Sequence, residues 1–175
     1  MRESTAVELA YIPTAADAVG AIRARARVTR LGRLTRRTYL ACTLVMLPTL
    51  AVHLTVPDDP DPVLTALSLV LLLLCPTMHF LPPYLQGKQI YRMVAEQGEF
   101  RTVVDDTGMR MVSRDSETTY HWPMIGRYTE TETLFVLLTP DKHGVGIVIL
   151  PKRGATGPAD LTRLRTTLDR NTARA

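Results

Sequence analysis

Seven arginines stand within fifteen positions between Arg23 and Arg37, in the stretch AIRARARVTRLGRLTRRT, and the rest of the chain carries a net negative charge. Guanidinium groups at this density bind phosphate, on nucleic acid or on lipid headgroups. On a helical wheel the arginines encircle the axis, and no interleaved aromatic residues could stack on bases. We therefore expect Arg30, Arg33, Arg36 and Arg37 to contact membrane headgroups or a partner, and we expect no binding of nucleic acid.

Other residues that could do chemistry are few. Lys152 and Arg153 form a second basic pair, which is either a phosphate-binding site for lipid headgroups or a phosphorylated partner, or simply two solvated charges. His121 and His143 belong to no GxSxG or HExxH motif, and the two cysteines lie far apart in apolar runs. We therefore predict no catalytic residue, no metal site and no cofactor, and we expect that the protein is not an enzyme.

Two uncharged apolar runs determine where these groups lie. Residues 39–56 and 63–81 each approach the roughly 20 residues with which a helix crosses a bilayer. A short acidic turn, PDDPDP, separates them, so we predict a two-helix transmembrane hairpin over residues 39–85, with Pro82 and Pro83 ending its second helix. Basic residues flank the hairpin and none lies in the turn, which predicts that both termini are cytoplasmic.

The segments beside the hairpin are short. Residues 1–38 are expected to form a cytoplasmic strand, Thr5–Ile12, followed by a helix that begins at a capping box, Thr14 to Asp17, and runs into the arginines. Residues 86–97 are expected to be an amphipathic connector that ends at Gly98. We predict that the N-terminal strand returns to complete the sheet of the C-terminal domain.

Residues 98–175 alternate short strand patterns with turn signals. The predicted strands are Phe100–Val104, Met109–Ser113, Thr118–Trp122, Arg127–Glu130, Leu134–Thr139 and Val145–Leu150. Gly157 and Pro158 then open a helix with a leucine stripe. The fold class predicted is α+β: a transmembrane hairpin plus a small antiparallel meander capped by a C-terminal helix, a pattern typical of pleckstrin-homology-like (PH-like) domains.

A small core is expected inside this domain. Trp122, Ile125, Phe135 and Ile147 are the residues that we expect to fill it, because aromatic side chains dominate burial in domains of this size. Stacking of Trp122 on a ligand is the alternative reading.

Several motifs resemble those of one known family. They are YIPTAAD at Tyr11–Asp17, DDTGMRM at Asp105–Met111, SETTYHWPMIGRYTET at Ser116–Thr131, LFVLL at Leu134–Leu138 and ILPKRG at Ile149–Gly154. With these motifs the sequence resembles the YcxB-like family of bacterial membrane proteins, although GATG stands where the family usually has an aromatic residue after Lys-Arg. The resemblance implies an architecture and a membrane location, and it assigns no catalytic residues.

These observations favour a multi-pass protein of the bacterial inner (plasma) membrane. We expect a PH-like cytoplasmic scaffold or regulatory module, anchored by the hairpin, that binds a protein partner or lipid headgroups. In the alternative reading the hairpin oligomerises and acts within the membrane, as a transport accessory, a toxin or an immunity factor. A homo-oligomer is compatible with both readings.

Overall fold

The computed structural model describes residues 6–55, 62–141 and 144–175. The predicted acidic turn between the apolar runs, with Asp58, Asp59 and Asp61, and also His143 lie outside the described residues. The elements in chain order are β1 Val7–Tyr11, α1 Ala15–Val28, α2 Arg30–Thr55, α3 Pro62–Val94, β2 Phe100–Val104, β3 Gly108–Val112, β4 Glu117–His121, β5 Arg127–Glu130, β6 Leu134–Leu138, β7 Ile147–Pro151, α4 Pro158–Asn171 and β8 Ala173–Arg174. The protein is therefore α+β, with a long helical part and a β-rich part.

The strands form two four-stranded sheets. The first has the order β1-β2-β3-β4 and is antiparallel throughout, and the second has the order β7-β6-β5-β8. The N-terminal strand pairs with β2 as the sequence predicts, with Val7 opposite Val104 and Tyr11 opposite Phe100. Strand β8 was not predicted; it adds to β5 in parallel.

The main core lies between the two sheets and α4. Trp122, Ile125 and Phe135 are buried in it together with Leu164 and Leu168 of α4. Ile147, which we expected in the same core, packs instead on the opposite face of the second sheet. The difference arises because Val148 and Leu150 are the β7 residues that face the core, and side chains alternate along a strand.

Helix α1 covers the outer face of the second sheet. Ala21 and Ala24 pack against Leu134, Val136 and Leu138 of β6. Strand β6 is consequently buried on both faces, which explains why its sequence, LFVLL, is apolar at every position rather than at alternate positions.

The same helix packs tightly on α3. A Cβ atom at Gly87 would lie 2.6 Å from the Cα atom of Val19, so only glycine lets the two helices approach this closely. Helix α1 is therefore in contact with α3 on one side and with the second sheet on the other.

The predicted helix after the capping box does run into the arginines, and the arginine-rich stretch is divided between this helix and the next one. Helix α1 ends at Val28, where Thr29 is extended with ψ of 146°, and α2 begins at Arg30. The Thr29 hydroxyl accepts a hydrogen bond from the Gly32 amide at 3.3 Å, which caps the new helix. The break at Thr29 therefore makes α1 and α2 two separate helices.

Helix α3 is longer than predicted. The prediction that Pro82 and Pro83 end it is wrong. The helix continues through both prolines to Val94 and includes most of the predicted connector. Proline weakens a helix through a lost hydrogen bond, and here packing against α1 supports the segment that follows. A 3-10 turn, Ala95–Gln97, follows α3, and Gly98, with φ of 75°, ends it as expected.

Within the described residues, one helical segment is long and apolar enough by composition to cross a membrane. It is Pro62–Gln97, and only 7% of its most apolar 18 residues is buried. Large apolar side chains of α2, such as Leu40 and Leu44, are exposed as well.

Candidate functional site

A cavity of about 290 Å³ lies where the two sheets, the start of α1 and the end of α3 meet. Strand β4 lines one side of it through Thr118 and Tyr120, and β7 lines the other through Ile147, Val148 and Ile149. The apolar part of the remaining lining includes Ile90, Val94, Phe100 and Met111, and its polar part comes from Tyr11, Thr14, Asp17, Gln97 and Ser116. The cavity therefore combines an apolar surface with several polar groups.

Strand β7 lines this cavity as the outer strand of its sheet, so half of its backbone groups have no partner on β6. The Thr139 amide donates a hydrogen bond to the Gly146 carbonyl, and the Lys152 amide donates one to the Thr133 carbonyl. In an antiparallel pair, every second residue between such positions bonds to the neighbouring strand. The backbone groups of Val148 and Leu150 therefore face β6, whereas those of Ile147 and Ile149 point away from it. The Ile149 carbonyl is used once, as the acceptor for the Tyr11 hydroxyl at 2.9 Å.

Hydroxyl groups around the cavity differ in their availability. Burial raises the pKa of Tyr11 to about 12, so its hydroxyl remains a donor to Ile149 at neutral pH. The hydroxyls of Thr118 and Tyr120 make no hydrogen bond within the described part of the chain. These two hydroxyl groups are therefore available to a ligand in the cavity.

The rim beside α1 is fixed by one carboxylate. Asp17 completes the predicted capping box with Thr14 and accepts two hydrogen bonds from the Arg153 guanidinium, both at 2.6 Å. Burial alone would raise the pKa of Asp17, but the hydrogen bonds from Arg153 and Thr14 outweigh it and lower that pKa below its usual value. Arg153, a predicted phosphate-binding residue, therefore holds the start of α1 against the end of β7.

Lys152 also has a carboxylate partner. Its ammonium group lies 2.7 Å from Glu130 and 5.1 Å from the centre of the Phe135 ring. Glu130 pairs with Arg165 and Arg174 as well. The pKa of Glu130 is lowered to about 2. The hydrogen bond from Arg165 is the largest cause, Lys152 lowers the pKa further, and burial acts in the opposite direction. Lys152 thus joins β7 to β5 and α4, and its charge is already compensated by a carboxylate.

The other predicted binding residues lie at the start of α2. Arg30, Arg33, Arg36 and Arg37 are all exposed. Of the four, only Arg36 lines the groove that α2 forms with α1 and α3, where it joins Arg23 and Arg27 of α1. Sequence reasoning did not single out those two, although their spacing of four places them on one face of a helix.

Side chains that could bind a metal ion do not cluster among the described residues. Within residues 6–55, 62–141 and 144–175, no group of three or more His, Cys, Asp or Glu side chains is placed to hold a metal ion.

Comparison with known families agrees with the resemblance noted above. Residues 104–168 match the family model described as YcxB-like protein, a segment that extends from the end of β2 into α4. No curated protein gives a significant match to the sequence. The similarity to the YcxB-like family thus covers residues 104–168, and the match does not extend to β1 or to α1, α2 and α3.

Proposed function

We propose that this protein is a membrane-anchored recognition module. Helices α2 and α3 cross the inner membrane as a hairpin, and both termini lie in the cytoplasm. The two sheets and α4 form a PH-like domain that binds an extended segment of a protein partner in the cavity between β4 and β7.

The anchor is supported by the distribution of apolar and charged residues. The apolar part of α3 is almost entirely exposed, which is unfavourable in water and favourable in a bilayer. The arginines of α1 and of the start of α2 lie on the same side of the hairpin as Lys88 and Arg92, which follow the apolar part of α3. The positive-inside rule requires this of cytoplasmic flanks.

The PH-like assignment is supported by the order of the elements. Two four-stranded sheets, antiparallel except for the β5–β8 pair, follow one another along the chain, and one amphipathic helix covers the core between them. The N-terminal strand adds the outer strand of the first sheet.

The observation that carries the binding role is the cavity beside the free edge of β7. Edge strands with unshared backbone groups bind extended peptides by strand addition, and pockets for alternate side chains supply specificity. At about 290 Å³ the cavity lies at the lower limit of small-molecule pockets, which are about 300–1,000 Å³. It suits one or two side chains of a peptide better than a cofactor.

Binding rather than catalysis fits the chemistry of the lining. The described residues that line the cavity include no histidine, cysteine or lysine, and the carboxylate at its rim, Asp17, is engaged by Arg153. A nucleophile with an adjacent base would be needed for covalent or general-base catalysis.

A matched pair of substitutions tests the binding site. Thr118 and Thr119 are neighbours on β4, both exposed, and their side chains point to opposite faces of the sheet. A photoreactive benzoylphenylalanine at exposed Ser116, which also lines the cavity, is expected to crosslink the full-length protein to one partner in native membranes. Thr118→Trp fills the mouth and should abolish this adduct, whereas Thr119→Trp should leave it unchanged.

The proposal fails if the adduct survives Thr118→Trp, or if both tryptophan variants reduce it equally. It fails also if irradiation yields no adduct. Mass spectrometry of the crosslinked peptide checks that the partner contributes an extended segment, as strand addition requires.

The exposed apolar faces of α2 and α3 also suit the second function expected from the sequence, an oligomeric hairpin that acts within the membrane. That function predicts homotypic crosslinks from exposed positions such as Leu44 and a phenotype that survives Thr118→Trp. Deletion of the β-rich part would be a poor discriminator, because it would uncover the buried face of α1.

A further inference from the structure

A groove of about 670 Å³ lies at the junction of α1, α2 and α3, away from the cavity between the sheets. Arg23 and Arg27 of α1 and Arg36 of α2 line one part of it. Leu40 and Thr43 of α2 and Pro76 and Pro83 of α3 line the rest. One wall of the groove is therefore cationic and the other is mostly apolar.

The three arginine charges are not compensated within the fold. Among the described residues, none of the three has a carboxylate within ion-pair distance, whereas Lys152, Arg153 and Arg165 each have one. Three guanidinium groups gathered without a counter-ion repel one another. An anion that entered the groove would relieve this repulsion and accept forked hydrogen bonds.

Close packing of the helices fixes the shape of the groove. A Cβ atom at Gly32 would lie 2.0 Å from the carbonyl oxygen of Ala26, so the first turn of α2 lies directly against α1. Ala26 and Gly32 both line the groove, and this contact holds the arginines of α1 beside Arg36.

The groove combines charge with apolar surface. Three arginines line it together with Leu40, Pro76 and Pro83. A ligand that fits both must carry a negative group and an apolar chain, which is the chemistry of an anionic phospholipid.

We propose that this groove is a binding site for one anionic phospholipid. Its phosphate lies among Arg23, Arg27 and Arg36, and one acyl chain follows Leu40 and Pro76 towards the apolar part of α3. The inference rests on the membrane anchoring proposed above. It differs from a diffuse attraction of basic residues to the membrane, because Arg30, Arg33 and Arg37 lie outside the groove.

Those outer arginines supply a matched control. One variant carries Arg23→Gln, Arg27→Gln and Arg36→Gln, and the other carries Arg30→Gln, Arg33→Gln and Arg37→Gln. Both variants lose three positive charges from the same stretch of sequence, and only the first removes the groove arginines. All six side chains are exposed, so we expect both variants to fold, which the fluorescence of the single tryptophan, Trp122, checks.

Native mass spectrometry of the full-length protein in neutral detergent measures the binding. Three probes are added separately: dihexanoyl phosphatidylglycerol, dihexanoyl phosphatidylcholine and inorganic phosphate. We expect one phosphatidylglycerol per chain, at least about tenfold weaker binding in the groove variant, equivalent to about 1.4 kcal/mol, and a change below about threefold in the control variant. A third variant with Arg23→Lys, Arg27→Lys and Arg36→Lys should retain most of the affinity, because the charge is kept.

Equal losses in the two glutamine variants would overturn the groove in favour of diffuse electrostatics. Equal binding of phosphatidylcholine, or binding of inorganic phosphate as tight as that of the lipid, would overturn the anionic lipid as the ligand. Membrane fractionation of the unmodified protein tests the anchor separately. A chain that remains in the soluble fraction would refute the proposed anchoring whatever the lipid titrations show.

Discussion

Replacement of Asp17 by asparagine isolates the contact that joins α1 to the β-rich domain. Asparagine keeps one acceptor oxygen for Thr14, so the helix cap is partly retained, whereas the charge that faces Arg153 is lost. The Asp17 side chain is 8% exposed and that of Arg153 is 46% exposed. A charge-assisted hydrogen bond contributes about 1.5–3 kcal/mol, and two of them are weakened here. Because water can solvate the freed guanidinium, we expect the free energy of unfolding to fall by about 2–3 kcal/mol.

Urea denaturation in detergent measures this change through Trp122, which is the only tryptophan and is buried in the main core. A double-mutant cycle with Arg153→Met should give a coupling energy of about 1.5 kcal/mol or more. Asp106→Asn is the control, because Asp106 pairs with Arg170 where both side chains are more than half exposed. We expect it to change stability by less than about 0.5 kcal/mol.

The pH dependence of the free energy of unfolding tests the same contact. The folded-state pKa of Asp17 is lowered, so its carboxylate stabilises the folded state above the unfolded-state pKa of about 4 and ceases to do so as the pH falls through the folded-state value. The Asp17→Asn variant should lack this part of the acid destabilisation. A coupling energy near zero, or an unchanged acid profile in the variant, would refute the role assigned to the contact between Asp17 and Arg153.

Two further predictions concern the inside of the fold. Glu130→Gln should lower the free energy of unfolding by about 2–4 kcal/mol, because three cations lose their shared anion. With a pKa of about 2 against an ordinary value of 4.5, Glu130 should stabilise the wild type fully above pH 4.5 and progressively less as the pH falls towards 2, and a denaturation series over that range would show no such loss in the variant. Gly87→Ala should lower the thermal midpoint although alanine is the better helix former by about 1 kcal/mol, because the added Cβ meets the Val19 backbone. Gly157→Ala, where a Cβ would meet nothing within 4 Å, is its control, and a higher midpoint for Gly87→Ala would contradict the packing of α1 on α3.

The elements of the β-rich part could be predicted from local patterns. Alternation and turn residues placed six of its strands within a few positions, and the Gly157–Pro158 pair placed the start of α4 correctly. The separation into two sheets could not be predicted in this way, because each hairpin in a meander has the same local signature whichever sheet it joins. The face of Ile147 was ambiguous for a related reason: IVIL is apolar at every position and offers no alternation.

The role of Lys152 and Arg153 depends on partners that are remote in sequence. Arg153 meets Asp17 across 136 positions, and Lys152 meets Glu130 from the neighbouring elements of the fold. Local composition shows a charge but not its partner. The groove at the helix junction was missed because the break at Thr29, rather than a continuous helix, places arginines from α1 and α2 side by side.

Helix α1 gives the cavity a fixed position relative to the anchor. It is packed on α3 at Gly87, on β6 through two alanines, and on the end of β7 through Asp17, so the β-rich part cannot swing freely about the end of α3. Ile90 of α3 lines the cavity and lies nine residues beyond Leu81, which corresponds to about 14 Å along the helix axis. On the proposed topology the cavity therefore opens close to the cytoplasmic surface of the bilayer. A partner segment that reaches it is itself held near the membrane, and this narrows the class of partner to proteins that are embedded in the membrane or bound to its surface.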